Sequence, residues 1–117
     1  GVHALSNAPF GTDWPKTASA RAGVQRLLQH SAPIEPMFNL LAERSANESA
    51  EERDHSAHFV VGPLYGTRCS TVLLLDAAGT LTFVERSFDA AGALSGEVRE
   101  TFALDSRAVV LSNGAGR

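Results

Sequence analysis

Gly62-Pro63-Leu64-Tyr65-Gly66-Thr67-Arg68-Cys69-Ser70-Thr71-Val72-Leu73-Leu74-Leu75-Asp76 is the stretch on which the fold turns. A Gly/Pro-rich turn delivers an arginine and three small polar side chains to the start of an apolar run. Val72–Leu75 is apolar at four consecutive positions, which predicts a strand over Arg68–Asp76 that wants cover on both faces. Asp76-Ala77-Ala78-Gly79 then has the chemistry of a tight turn, with Asp at its first position and Gly at its last. Thr80–Asp89 alternates, Leu81 and Phe83 on one side, Thr82 and Val84 on the other. Ala90–Gly96 is composed as a small, flexible loop. Glu97–Leu104 alternates again, with Val98, Phe102 and Leu104 opposed to Arg99 and Thr101. Three such strands in succession predict an antiparallel meander.

Upstream the period changes. Gly1–Ser6 reads as a short strand that Pro9, Gly11 and Asp13 end. A helix is expected from Asp13 or Trp14, with Asp13 as cap and Pro15 in the first turn. Its apolar stripe is Ala20, Val24, Leu27 and Leu28. A second helix is expected over Glu35–Arg44, burying Met37, Phe38, Leu40 and Leu41. Residues 45–56 carry almost no large apolar side chain and predict an exposed, mobile loop. Phe59–Val61 reads as a further short strand, and Ala108–Leu111 could add another. The pattern contains no internal repeat and no linker. The predicted class is α+β, an antiparallel sheet with two helices on one face. One domain is expected over residues 1–112, with a disordered tail over 113–117. Two helices cannot cover both sheet faces, so the meander should expose an apolar face or bury it against a missing half or a second copy.

At 117 residues, 44% apolar and 20% charged, the chain has the composition of a single soluble globular domain. A net charge of −3 leaves no electrostatic footprint for nucleic acid. No apolar run approaches the roughly 18 residues of a membrane span. One cysteine, Cys69, excludes an internal disulfide framework and fits a reducing, cytoplasmic setting. Cys69 is expected to be buried as a small hydrophobe. His55 and His58 lack a third ligand, His3 and His30 stand alone, and no cofactor is expected. The opening Gly1-Val2-His3 has no Met and reads as a fragment or processed product.

Leu5-Ser6-Asn7, Trp14-Pro15-Lys16, Tyr65–Leu74 and Val84-Glu85-Arg86-Ser87-Phe88 occur in order along most of the chain. Together they resemble the C-terminal part of the NRDE family, also named for transport and Golgi organisation. The resemblance implies half of an αββα sandwich like that of the N-terminal nucleophile hydrolases. In those proteins the first residue, often Cys, attacks an amide. Position 1 here is Gly, and the motif that names the family is absent. The resemblance therefore implies a chain that lacks the nucleophile and is inactive alone. It maps Asn7, within Leu5-Ser6-Asn7-Ala8-Pro9, onto an oxyanion-hole Asn, where a side-chain amide is worth roughly 3 kcal/mol to a transition state. It maps Arg68 onto an arginine that polarises the nucleophile, and a joint role would bring Asn7 and Arg68 together. The alternatives are an Asn that satisfies its own turn and an arginine that bonds loop carbonyls. Lys16 and Trp14 could hold a substrate's acid group and body, or simply open the helix. Thr71 is the remaining substrate-binding candidate, with a turn hydrogen bond as its other reading. Two functions follow: part of an amidohydrolase acting on carbon–nitrogen bonds, with a small amide as ligand, or a non-catalytic binding and trafficking protein that handles lipid-linked metabolites or haem.

Overall fold

The computed structural model describes residues 1–6, 9, 11–12, 14–29, 31, 33–44 and 57–104. Two helices precede three strands: α1 (Pro15–Leu27), α2 (Ile34–Leu41), β1 (Cys69–Leu75), β2 (Thr80–Phe88) and β3 (Leu94–Ala103). The strands form one antiparallel sheet in the order β1-β2-β3. The expected α+β class and meander are both present. α1 has Trp14 at its cap position with no side-chain hydrogen bond there, and Asp13, expected as the cap, lies outside the described residues. Pro15 occupies the first position, where its missing N–H costs nothing. Thr17 Oγ1 instead donates to the Trp14 carbonyl at 2.8 Å.

The sheet's two faces differ. Val72 and Leu74 of β1 and Val84 of β2 pack against Ile34, Met37, Phe38 and Leu41 of α2. Val84 is completely buried at the centre. The helices stack rather than sharing the sheet: α2 lies on β1, and α1 packs on α2. Gly23 makes that second contact close, since a Cβ there would stand 2.6 Å from Leu40 Cδ1. Arg86 reaches from the covered face to Glu35 of α2 (2.6 Å) and Glu97 of β3 (2.8 Å), with its guanidinium 4.1 Å above the Phe38 ring. On the other face the register sets Leu73 beside Phe83 and Leu75 beside Leu81, which faces Phe102. Leu73, Leu75, Val98 and Phe102 are about half exposed or more. The expected uncovered apolar face is there.

Both hairpins use the same four residues. Asp76 Oδ1 accepts the N–H groups of Ala78 and Thr80, and Gly79 takes φ 84°. Asp89 Oδ1 accepts those of Ala91 and Ala93, and Gly92 takes φ 76°. The span expected as a flexible loop over Ala90–Gly96 is thus an Asp-capped turn, and β3 starts at Leu94. The sequence Asp-Ala-Ala-Gly occurs twice, a short recurrence where no repeat was expected.

Two expected strands are not strands. Gly1–Ser6 has no ladder partner among the described residues, and a strand exists only by pairing. Phe59–Val61 instead opens a closed loop. Phe59 N–H donates to the Glu43 carbonyl at 3.1 Å, and Thr67 N–H to the Val60 carbonyl at 2.9 Å. The readings of residues 45–56, of Ala108–Leu111 and of the tail 113–117 lie outside the described residues.

Candidate binding cavity

A cavity of about 240 Å³ opens between the N-terminal segment and the helices. Ala4, Leu5 and Ser6 line one side, Lys16, Thr17 and Ala20 of α1 another. Leu41, Ala57 and His58 close it. Apolar residues are the majority, with Ser6, Lys16, Thr17 and His58 as the polar ones.

His58 holds this wall together. Nδ1 lies 3.0 Å from the Leu40 carbonyl and Nε2 3.0 Å from the Lys16 carbonyl. The Leu40 carbonyl lies in the last turn of α2, where it also accepts the Glu43 N–H at 3.2 Å. One side chain therefore ties the end of α2 to the start of α1 across the cavity. A neutral imidazole donates to only one carbonyl at a time; the imidazolium donates to both. Glu43 Oε2 stands 3.6 Å from Nδ1, and the His58 side chain is only 9% exposed. Both ring nitrogens face backbone oxygens, so neither is aimed at a hydroxyl as a general base must be.

Of the residues singled out from sequence, Lys16 lines the cavity and its Nζ lies 5.0 Å over the Trp14 ring. This cation–π contact brings those two candidates together. Arg68 and Thr71 do not line it. Arg68 is exposed, and its Nη1 donates to the Asp89 carbonyl at 3.4 Å. Thr71 Oγ1 donates to Glu85 Oε2 at 2.8 Å on the uncovered sheet face. Asn7 lies outside the described residues, and so does its expected approach to Arg68. Cys69 was expected to be buried and is exposed, because it begins β1 on the face that neither described helix covers. No cluster of three or more metal-ligating side chains occurs among the described residues. No described helix is long and apolar enough to cross a membrane.

His58 is the cavity-lining residue that spacing concealed. Its signal is a lone polar side chain in Ala57-His58-Phe59-Val60-Val61, where the chain turns apolar after a polar run. Such a residue must find hydrogen-bond partners inside.

Comparison with known proteins adds the following. The family model described as Transport and Golgi organisation 2 matches residues 1–90. The chain is 30% identical over 106 residues to the Transport and Golgi organization protein 2 homolog of Homo sapiens. It is 29% identical over 106 residues to the Transport and Golgi organization 2 homolog of Mus musculus. Each alignment takes in 74% of this chain and 38% of the relative, so the chain spans well under half the length of the relatives it matches. β3 lies beyond the matched residues.

Proposed function

The chain belongs to the Transport and Golgi organisation 2 family, and on that footing we propose that it is part of a non-catalytic binding and trafficking protein that carries a lipid-linked metabolite. The cavity supports this reading. Its walls are mainly Ala and Leu, and Lys16 supplies a cation for an acidic head. At about 240 Å³ it lies below the usual range of small-molecule pockets, so it takes the head and the first part of an acyl chain and leaves the rest outside.

The single observation that carries the proposal is the state of His58. Both ring nitrogens of the cavity's acid–base group lie 3.0 Å from backbone carbonyls and neither faces a hydroxyl, which suits a rigid binding wall and not proton transfer. Haem ligation by His58 would need a ring nitrogen to turn away from its backbone carbonyl, which favours the lipid-linked ligand. The amidase role of Asn7 and Arg68 has less support, since Arg68 does not line the cavity and its Nη1 donates to the Asp89 carbonyl on the exposed surface. We extend the reading to the fold: the uncovered apolar face of β1–β3 is where the second sheet of an αββα sandwich would pack in a full-length relative.

The test is titration of the chain with a fluorescent long-chain fatty acid. Binding should weaken about tenfold in Lys16→Gln, the loss of one charge-assisted hydrogen bond. Equal affinity of wild type and variant, or no binding, overturns the proposal. Hydrolysis of an acyl amide by the purified chain would restore the enzyme reading.

A further inference from the structure

The loop from Val60 to Thr67 is braced at its base. Val60 N–H donates to Thr67 Oγ1 at 3.0 Å, and Thr67 N–H donates back to the Val60 carbonyl at 2.9 Å. Within it the backbone doubles back tightly. A Cβ at Gly62 would stand 2.8 Å from the Tyr65 carbonyl oxygen, and one at Gly66 3.0 Å from that of Val60. Pro63 adds its fixed φ. The side chains at the tip are exposed, Leu64 at 98% and Tyr65 at 68%. Scattered exposed hydrophobes are ordinary. An adjacent Leu-Tyr pair this exposed, held out on a braced loop, is a presented surface.

Two arginines stand at the same end of the molecule. Arg68 Nη1 donates to the Asp89 carbonyl and Arg44 Nη2 to the Gly92 carbonyl, the two ends of the β2–β3 turn. A Cβ on Gly66 would be 3.1 Å from Arg68 Nη1, and one on Gly92 would be 2.6 Å from Val61 and 3.2 Å from Arg44 Nη2. Loop, turn and both guanidiniums therefore form one cluster. Asp89 Oδ1 accepts the Ala91 and Ala93 N–H groups, so that oxygen is committed to its own turn.

We propose that this end of the molecule docks peripherally on an anionic lipid surface. Leu64 and the Tyr65 ring enter the boundary between headgroups and acyl chains, where a ring with a polar tip is at home. Arg44 and Arg68 meet lipid phosphates. The net charge of −3 disfavours adsorption by the molecule as a whole, so attachment depends on this local pairing of apolar tip and cationic rim.

Co-sedimentation of the whole chain with vesicles tests the proposal. Binding should be several-fold stronger to phosphatidylcholine vesicles containing phosphatidylserine than to phosphatidylcholine alone, and should weaken as salt rises. Leu64→Glu should reduce partitioning at least tenfold with an unchanged circular dichroism spectrum, because so exposed a side chain holds nothing together. Arg68→Gln should weaken binding to the anionic vesicles alone. Leu73→Lys, on the uncovered sheet face, should leave binding intact. No binding to anionic vesicles, equal binding to both compositions, or loss in Leu73→Lys but not in Leu64→Glu overturns the proposal.

Discussion

Gly23 lets α1 and α2 approach, and the contact can be tested with one methyl group. That group would stand 2.6 Å from Leu40 Cδ1 and 2.8 Å from Cδ2, and Leu40 is itself buried. Gly23→Ala should gain up to ~1 kcal/mol of helix propensity yet destabilise the protein by a net ~1–2 kcal/mol through overpacking. The urea midpoint reads this directly, and an unchanged or raised midpoint would show that Leu40 can step aside. Gly23 also shows why helix packing is only partly legible in sequence. The stripe Ala20, Val24 and Leu27 follows from spacing, and all three are half-buried, whereas Leu28 at its end is exposed. The buried positions are Thr17, whose hydroxyl bonds the Trp14 carbonyl, and Gly23, whose missing side chain lets Leu40 approach. His58 was hidden for a related reason. Its partners lie 18 and 42 residues away and are backbone atoms, which no residue pattern marks.

The strands were the most legible elements. Turn chemistry at Asp76–Gly79 and alternation along Thr80–Phe88 identify β1 and β2 nearly to the residue. The start of β3 was obscured because Leu94-Ser95-Gly96 looks like loop, and a register shift between Ser87 and Phe88 breaks the alternation expected opposite it. β3 is exposed along its whole length and depends on its ladder to β2 and on Arg86. The hydrogen bond from Arg86 holds the Glu97 carboxyl below its ordinary value of 4.5. A carboxyl with a lowered folded-state pKa contributes stability that is present above its unfolded value and lost as pH falls through its folded one. Acidification below pH 4.5 should therefore loosen β3 against β2. Glu97→Gln should weaken the ladder at neutral pH and flatten that acid response. Amide exchange across Glu97–Ala103 as a function of pH is the measurement, and identical pH profiles for wild type and variant would remove Glu97 from the account.

For the molecule as a whole, the open question is the uncovered sheet face. Four consecutive apolar residues in β1 announced it in the sequence, since alternate positions must point to opposite faces. α2 covers only one of them. Leu73 and Leu75 remain 58% and 60% exposed, flanked by Val98 and Phe102. A patch of this kind favours association. Sedimentation velocity should show reversible self-association of the chain that Leu73→Lys reduces, with secondary structure retained. A monomer at all concentrations would mean that this face is stable in water. What the sequence could not convey was the helix stack, since amphipathic spacing marks a buried face without saying whether a sheet or another helix buries it.

The pairing of the Phe59 N–H with the Glu43 carbonyl, beside the His58 anchor, fastens together the two ends of the connection that leaves α2 and returns at Ala57. What lies between need not supply the attachment, and lengthening a connection costs little once its ends are fixed. The chain thus has a seam. Phe38 against Val72 and Val84, Glu35 to Arg86, and Arg44 over Phe59 all cross it without using the peptide bonds of 45–56. Insertions can accumulate there over evolutionary time, and two separately synthesised pieces divided at that point should find each other and reassemble.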